Sequence, residues 1–129
     1  MSPSPAPGSK SKQAAAERSL PLGEVEWQIA LALADSPKHG YAILQEIEER
    51  EGERGRILPG SLYRALHRLE KERWIEEVED APESLEDERR RVFALTPRGR
   101  RVARAEARRL LASIRAARRK GLLARGSEA

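Results

Sequence analysis

The sequence predicts a mainly α protein with one small β-hairpin. Three observations lead there. Apolar residues recur at helical spacing in four separate stretches. Two short runs rich in Trp, Ile, Val and Phe flank an acidic, Pro-containing segment. From Arg100 to Lys120 the chain then runs without Pro or Gly, as one long helix requires. The length of 129 residues is that of one ordinary domain. Charged residues are 36% and hydrophobic ones 39%, so the core is thin and much helix surface is solvated.

Residues 1–19 are Pro, Ser, Ala and Lys with no apolar periodicity, and residues 1–21 are expected to be a disordered tail. Residues 22–35 form a first helix, apolar on nearly every side. Leu22, Val25, Ile29, Ala32 and Leu33 mark one face, and Trp27, Ala30, Leu31 and Ala34 another. The core of so small a domain covers one face, which leaves the other for a second subunit. Ser36-Pro37-Lys38-His39-Gly40 is a turn. Residues 40–51 form a second helix with Ile43, Leu44 and Ile47 inward; Tyr41 is assigned either to the core or to a contact with a partner. A loop with Gly52 and Gly55 follows.

Residues 59–73 form a third helix. Pro59 suits its first turn, and Ser61 is expected to cap it. Leu62, Ala65, Leu66 and Leu69 make one apolar stripe, while Ser61, Tyr63, Arg64, His67, Arg68 and Lys71 occupy the other faces. An ordinary solvated face would look similar. Two shorter helices before it, across a tight turn and a loop, give the order of a helix-turn-helix. Residues 74–79 and 89–95 are strands, joined by the acidic segment Asp80–Glu88. Thr96 caps the last helix and Pro97 opens it. That helix, 97–120, is about 36 Å long. Ala103, Ala107, Leu110, Ile114 and Ala117 follow a 4-3-4-3 spacing, widened by Leu111. The seam exceeds what a thin monomer can cover, and arginines coat the rest. Gly121 is the expected stop, with 122–129 a flexible tail.

The whole is therefore a winged helix-turn-helix at 22–96 with a long C-terminal dimerisation helix at 97–121. The net charge of +4 is unevenly placed. Residues 22–97 carry 11 basic and 18 acidic side chains, whereas residues 98–125 carry 11 basic ones against Glu106 alone. DNA contact by the acidic middle must rest on few, well-placed cations.

Three motifs resemble the PadR-type transcriptional regulators over roughly residues 22–120. The apolar helix followed by Pro37 and His39-Gly40-Tyr41 is similar to that family's first two helices. Pro59-Gly60-Ser61-Leu62-Tyr63-Arg64-Ala65-Leu66-His67-Arg68-Leu69-Glu70 resembles its recognition helix. Arg89 to Gly99, ending in Leu95-Thr96-Pro97-Arg98-Gly99, resembles its second wing strand. The single helix after the wing places the chain nearest the compact subgroup. Three departures stand out: Arg73 replaces a common Gly, the wing tip is acidic, which argues against its entry between phosphates, and Phe93 replaces a common Tyr. The resemblance implies a homodimeric, sequence-specific DNA-binding regulator, most often a repressor, on a palindromic operator. It also implies release by a small aromatic or cationic effector near the dimer interface.

In that frame Arg64 and Arg68 are the expected base-edge readers, since arginine forks match guanine O6 and N7. His67 reaches a base or a phosphate. Ser61, Tyr63, Lys71, Lys38, His39 and Tyr41 suit phosphate oxygens. Arg89, Arg90 and Arg91 sit at the wing, where the alternative is pairing with Glu86, Asp87 and Glu88. The dimer interface is expected at Leu22, Val25, Trp27, Ala103, Ala107, Leu110, Leu111, Ile114 and Ala117, with Trp27 also the candidate effector contact. The absence of Cys excludes disulfides and thiolate chemistry. Two histidines make a His-based metal site unexpected, and no catalytic constellation, cofactor motif, leader or membrane span is read. A cytoplasmic protein without enzymatic activity is expected. The competing functions are a non-sequence-specific DNA-coating protein and a winged-helix scaffold for protein partners.

Overall fold

Residues 7–78 and 91–124 are described by the computed structural model. The elements run α1 (Pro7–Arg18), α2 (Glu24–Leu33), β1 (Lys38–His39), α3 (Gly40–Glu51), a 3-10 turn (Gly52–Gly55), α4 (Pro59–Lys71), β2 (Ile75–Val78), β3 (Val92–Leu95) and α5 (Pro97–Arg119). Helices dominate, and a three-stranded antiparallel sheet in the order β1-β3-β2 completes a winged helix.

Helix α2 is the hub, packed against α3, α4, α5 and β3. Its near-continuous apolar sequence puts Ile29, Ala32 and Leu33 into the main core. There they meet Ile43 and Ile47 of α3, the α4 stripe Leu62, Ala65, Leu66 and Leu69, and Ile75 and Phe93 of the sheet. Spacing alone produces the α4 stripe: residues 3, 4 and 7 apart return to one face of a helix. Truncating Leu66, 1% exposed, would cost about 2–5 kcal/mol. The Phe93 ring is buried, and the Arg91 guanidinium sits 5.0 Å from its centre.

Two expectations are corrected here. Residues 7–18, assigned to a structureless tail, form α1. Ala14, Ala15 and Ala16 with Lys, Gln and Glu neighbours are strong helix formers. Tertiary packing then fixes the helix, because Ala16 is buried against Val102 and Ala105 of α5. Second, the turn at 36–40 contains a strand. Lys38 pairs with Phe93 and His39 with Val92, so the segment between α2 and α3 is stitched to the wing.

Helix α4 also starts three residues earlier than a Ser61 cap would require. Leu58 is its N-cap residue and Pro59 its first helical residue; the Ser61 hydroxyl instead accepts from Arg64 Nη2 at 3.2 Å. At the other end Arg73 adopts φ +63°, the left-handed conformation in which a glycine would be unstrained. Beyond it the chain turns into β2. Thr96 then caps α5, accepting from Gly99 N at 3.0 Å and donating to the Arg73 carbonyl at 2.6 Å. Helix α5 stops at Gly121, φ +82°, where Leu122 N reaches back to Ala117 O at 2.9 Å.

Candidate nucleic-acid interface

The apolar stripe of α4 leaves Gly60, Arg64, His67 and Lys71 on the opposite, exposed face. Gly60 carries no side chain beyond which Arg64 must reach. The Arg64 guanidinium, braced by Ser61, is thus presented from the middle of the helix. Arg68 is exposed as well, but its guanidinium is ion-paired to Glu26 of α2. Of the two arginines expected to read bases, one is held only by Ser61 of its own helix and the other is tied to the neighbouring helix.

Tyr63 is half-buried and crosses over Gly40. A Cβ on residue 40 would lie 2.9 Å from the Tyr63 ring. The absent side chain at the start of α3 therefore lets α4 approach, and the next residue, Tyr41, is 52% exposed beside it. That settles Tyr41 as a surface group. His39 precedes α3 as its N-cap residue and is half-buried within the sheet.

Two expected contact residues are turned to other work. Lys38 donates to Asp35 Oδ1 and to the Ala32 carbonyl, each at 2.6 Å, and to Ser36 Oγ at 3.1 Å. Its ammonium thus caps the end of α2, and it holds the Asp35 carboxyl below its ordinary pKa. Arg91 donates to Glu70 of α4 at 3.0 Å and pairs with Glu77 of β2 at 2.8 Å. The expected alternative partners Glu86, Asp87 and Glu88 lie outside the described residues. Arg89 and Arg90 lie outside the described residues. Arg54 and Arg56, not singled out from the sequence, are exposed in the stretch that leads into α4 and form no ion pair with described residues. Their position just ahead of Pro59 was the available signal.

The expected interface residues divide. Leu22 and Val25 pack against this chain's own cores, and Leu22 N donates to Glu106. Val25 lies on α2 and Leu22 two residues before its start, both on the side that their own subunit covers. Leu111 and Ile114 are 48% and 43% exposed, an apolar surface on the second half of α5. Trp27, Leu31 and Ala34 of α2 face Ala103 and Ala107 of α5 across a groove of about 170 Å³. Among the described residues no cluster could hold a metal ion, and no helix is long and apolar enough to cross a membrane.

A three-helix core with a recognition-type helix and a wing defines a winged-helix DNA-binding protein. Comparison with known proteins sharpens that class. The sequence model of the transcriptional regulator PadR-like family matches residues 29–105. The chain belongs to this family and is a transcriptional regulator of the PadR type. An uncharacterized 37.1 kDa protein in transposon TN4556 of Streptomyces fradiae is 43% identical over 84 residues. That match takes in 65% of this chain but only 22% of the transposon protein. Among solved structures, RosR of H. salinarum aligns with TM-score 0.61 and 26% identity, over 74% of this chain and 79% of that one. A PadR family transcription regulator from Clostridium difficile R20291 aligns with TM-score 0.62 over 78% of this chain and 100% of its own; at 23% identity it speaks for the fold.

Proposed function

We propose that the chain is a homodimeric, sequence-specific repressor that places α4 in the major groove of a palindromic operator. The observation that carries this is the exposed face of α4, where Arg64, His67 and Lys71 stand opposite the buried stripe. Arg64 reads a guanine edge, and Lys71 and His67 take flanking positions. Tyr41, Arg54 and Arg56 contact phosphates at the ends of the helix pair. The Leu111 and Ile114 surface of α5 is the dimer contact. A planar aromatic or cationic effector stacks on Trp27 in the groove between α2 and α5.

Selection from random duplexes tests the reading. A palindromic consensus is expected. No enrichment of any sequence would replace the repressor with a protein that coats DNA without reading it. No retained DNA at low salt would favour a scaffold for protein partners.

A further inference from the structure

Helices α1 and α5 touch through their smallest residues, Ala16 against Val102 and Ala105. That close approach brings Lys12 of α1 up to Arg101, Arg104 and Arg108 of α5 in the wall of one recess, of about 330 Å³. A second recess of about 560 Å³ adjoins it, also walled by Lys12 and Arg101, and adds Arg73 and Arg98. None of these six cations forms an ion pair with a described residue.

Packing two helices so that their cations share a cleft is unfavourable unless a counter-charge is present. The chain supplies little of it. The acid within α5, Glu106, is buried and engaged by Leu22 N and Arg109. Across the larger recess Arg91 holds both Glu70 and Glu77, which keep one net negative charge between them; with Glu76 that sets two against four cations. The rest of the counter-charge is left to come from outside.

We propose that this trough, between α1, the start of α5 and the open edge of β2, binds a small molecule carrying two or more phosphate groups. Guanidinium forks match phosphate oxygens two at a time, and several forks in one recess suit more than one phosphate. The start of α5 adds its partial positive charge to the same wall. The larger recess has the volume of an ordinary small-molecule site. Both recesses are shallow and open to solvent, so the backbone of a duplex is the alternative occupant that the third arm of the test addresses. The site is separate from the α4 face and meets the Trp27 groove only at Arg104, and it stands whether or not the operator reading does.

The test uses the full chain without DNA, titrated with sodium tripolyphosphate in a calorimeter. Saturable binding at one per chain is expected. Arg98→Ala with Arg101→Ala should weaken it by about tenfold or more. Arg115→Ala with Arg119→Ala removes the same charge outside the trough and should change affinity by less than about twofold. Equal losses in the two double variants would reduce the effect to general attraction and overturn the proposal, as would the absence of saturable binding. A third arm follows duplex binding against salt. If tripolyphosphate fails to bind while Arg98→Ala/Arg101→Ala flattens that dependence, the trough serves the DNA backbone and the small-molecule assignment falls.

Discussion

The carboxylate of Glu106 accepts the backbone N–H of Leu22 at 2.8 Å, across 84 residues of sequence. It is 2% exposed, and the Arg109 guanidinium is hydrogen-bonded to it. Arg109 is the main reason its pKa lies below the ordinary carboxylate value; burial pushes the other way. A lowered folded-state pKa contributes stability above the unfolded value, and that contribution is lost as pH falls through the folded one. Glu106→Gln should therefore cost about 1–3 kcal/mol in urea unfolding at neutral pH, and less in acid below the ordinary carboxylate range. An unchanged gap at both pH values would mean that charge plays no part in the contact.

Gly99 is required by space. A Cβ there would sit 1.9 Å from the Trp74 carbonyl oxygen, and backbone on both sides leaves little room to yield. Gly99→Ala should destabilise by about 3 kcal/mol, lifting the start of α5 from the end of α4. Equilibrium urea denaturation measures it; a cost below about 1 kcal/mol would show that the crossing is loose.

Arg73 is the opposite case, a side chain where its absence would help. At φ +63° a glycine is unstrained, so Arg73→Gly should raise stability by up to about 1 kcal/mol. The same substitution removes one cation from the trough. A thermal melt together with a tripolyphosphate titration therefore separates a gain in stability from a loss of binding.

Arg64 and Arg68 should behave differently on DNA. Once the consensus is known, Arg64→Ala should lose about 1–3 kcal/mol of discrimination at one base pair and less elsewhere. Arg68→Ala should lose less, because its guanidinium is already paired with Glu26. Fluorescence anisotropy on single-base operator variants reads both; uniform loss on every variant would make Arg64 a phosphate contact.

Ile114 tests the dimer without disturbing the monomer, since its side chain is 43% exposed in one chain. Ile114→Asp should give a folded monomer by light scattering, with helix content retained in circular dichroism. A wild type that is already monomeric at micromolar concentration would remove the dimer from the proposed function.

Sequence was informative where one element carries its own pattern. Leu62, Ala65, Leu66 and Leu69 recur at a period that only a helix satisfies, and Thr96-Pro97 announces the cap and first turn of α5. It was silent where structure depends on a distant partner. Strand β1 has two residues and exists because β3 lies beside it. Helix α1 is held through Ala16, whose partners follow some 90 residues later. The same rule divides the site. Arg64, His67 and Lys71 were placed by their position opposite the α4 stripe. Lys38 and Arg91 were not, because the carbonyl and carboxylates that engage them are assembled by a turn and by a strand pairing.

The packing of α1 on α5 also dictates an order of assembly. On a ribosome the first helix emerges long before Val102, Ala105 and Glu106, so Ala16 and Leu22 have nothing to bury against while α2, α3 and α4 are made. The helix-turn-helix segment can collapse locally, but α1 gains its packing partners only when α5 arrives. A chain truncated before residue 102 would keep a reading helix without the clasp that secures α1.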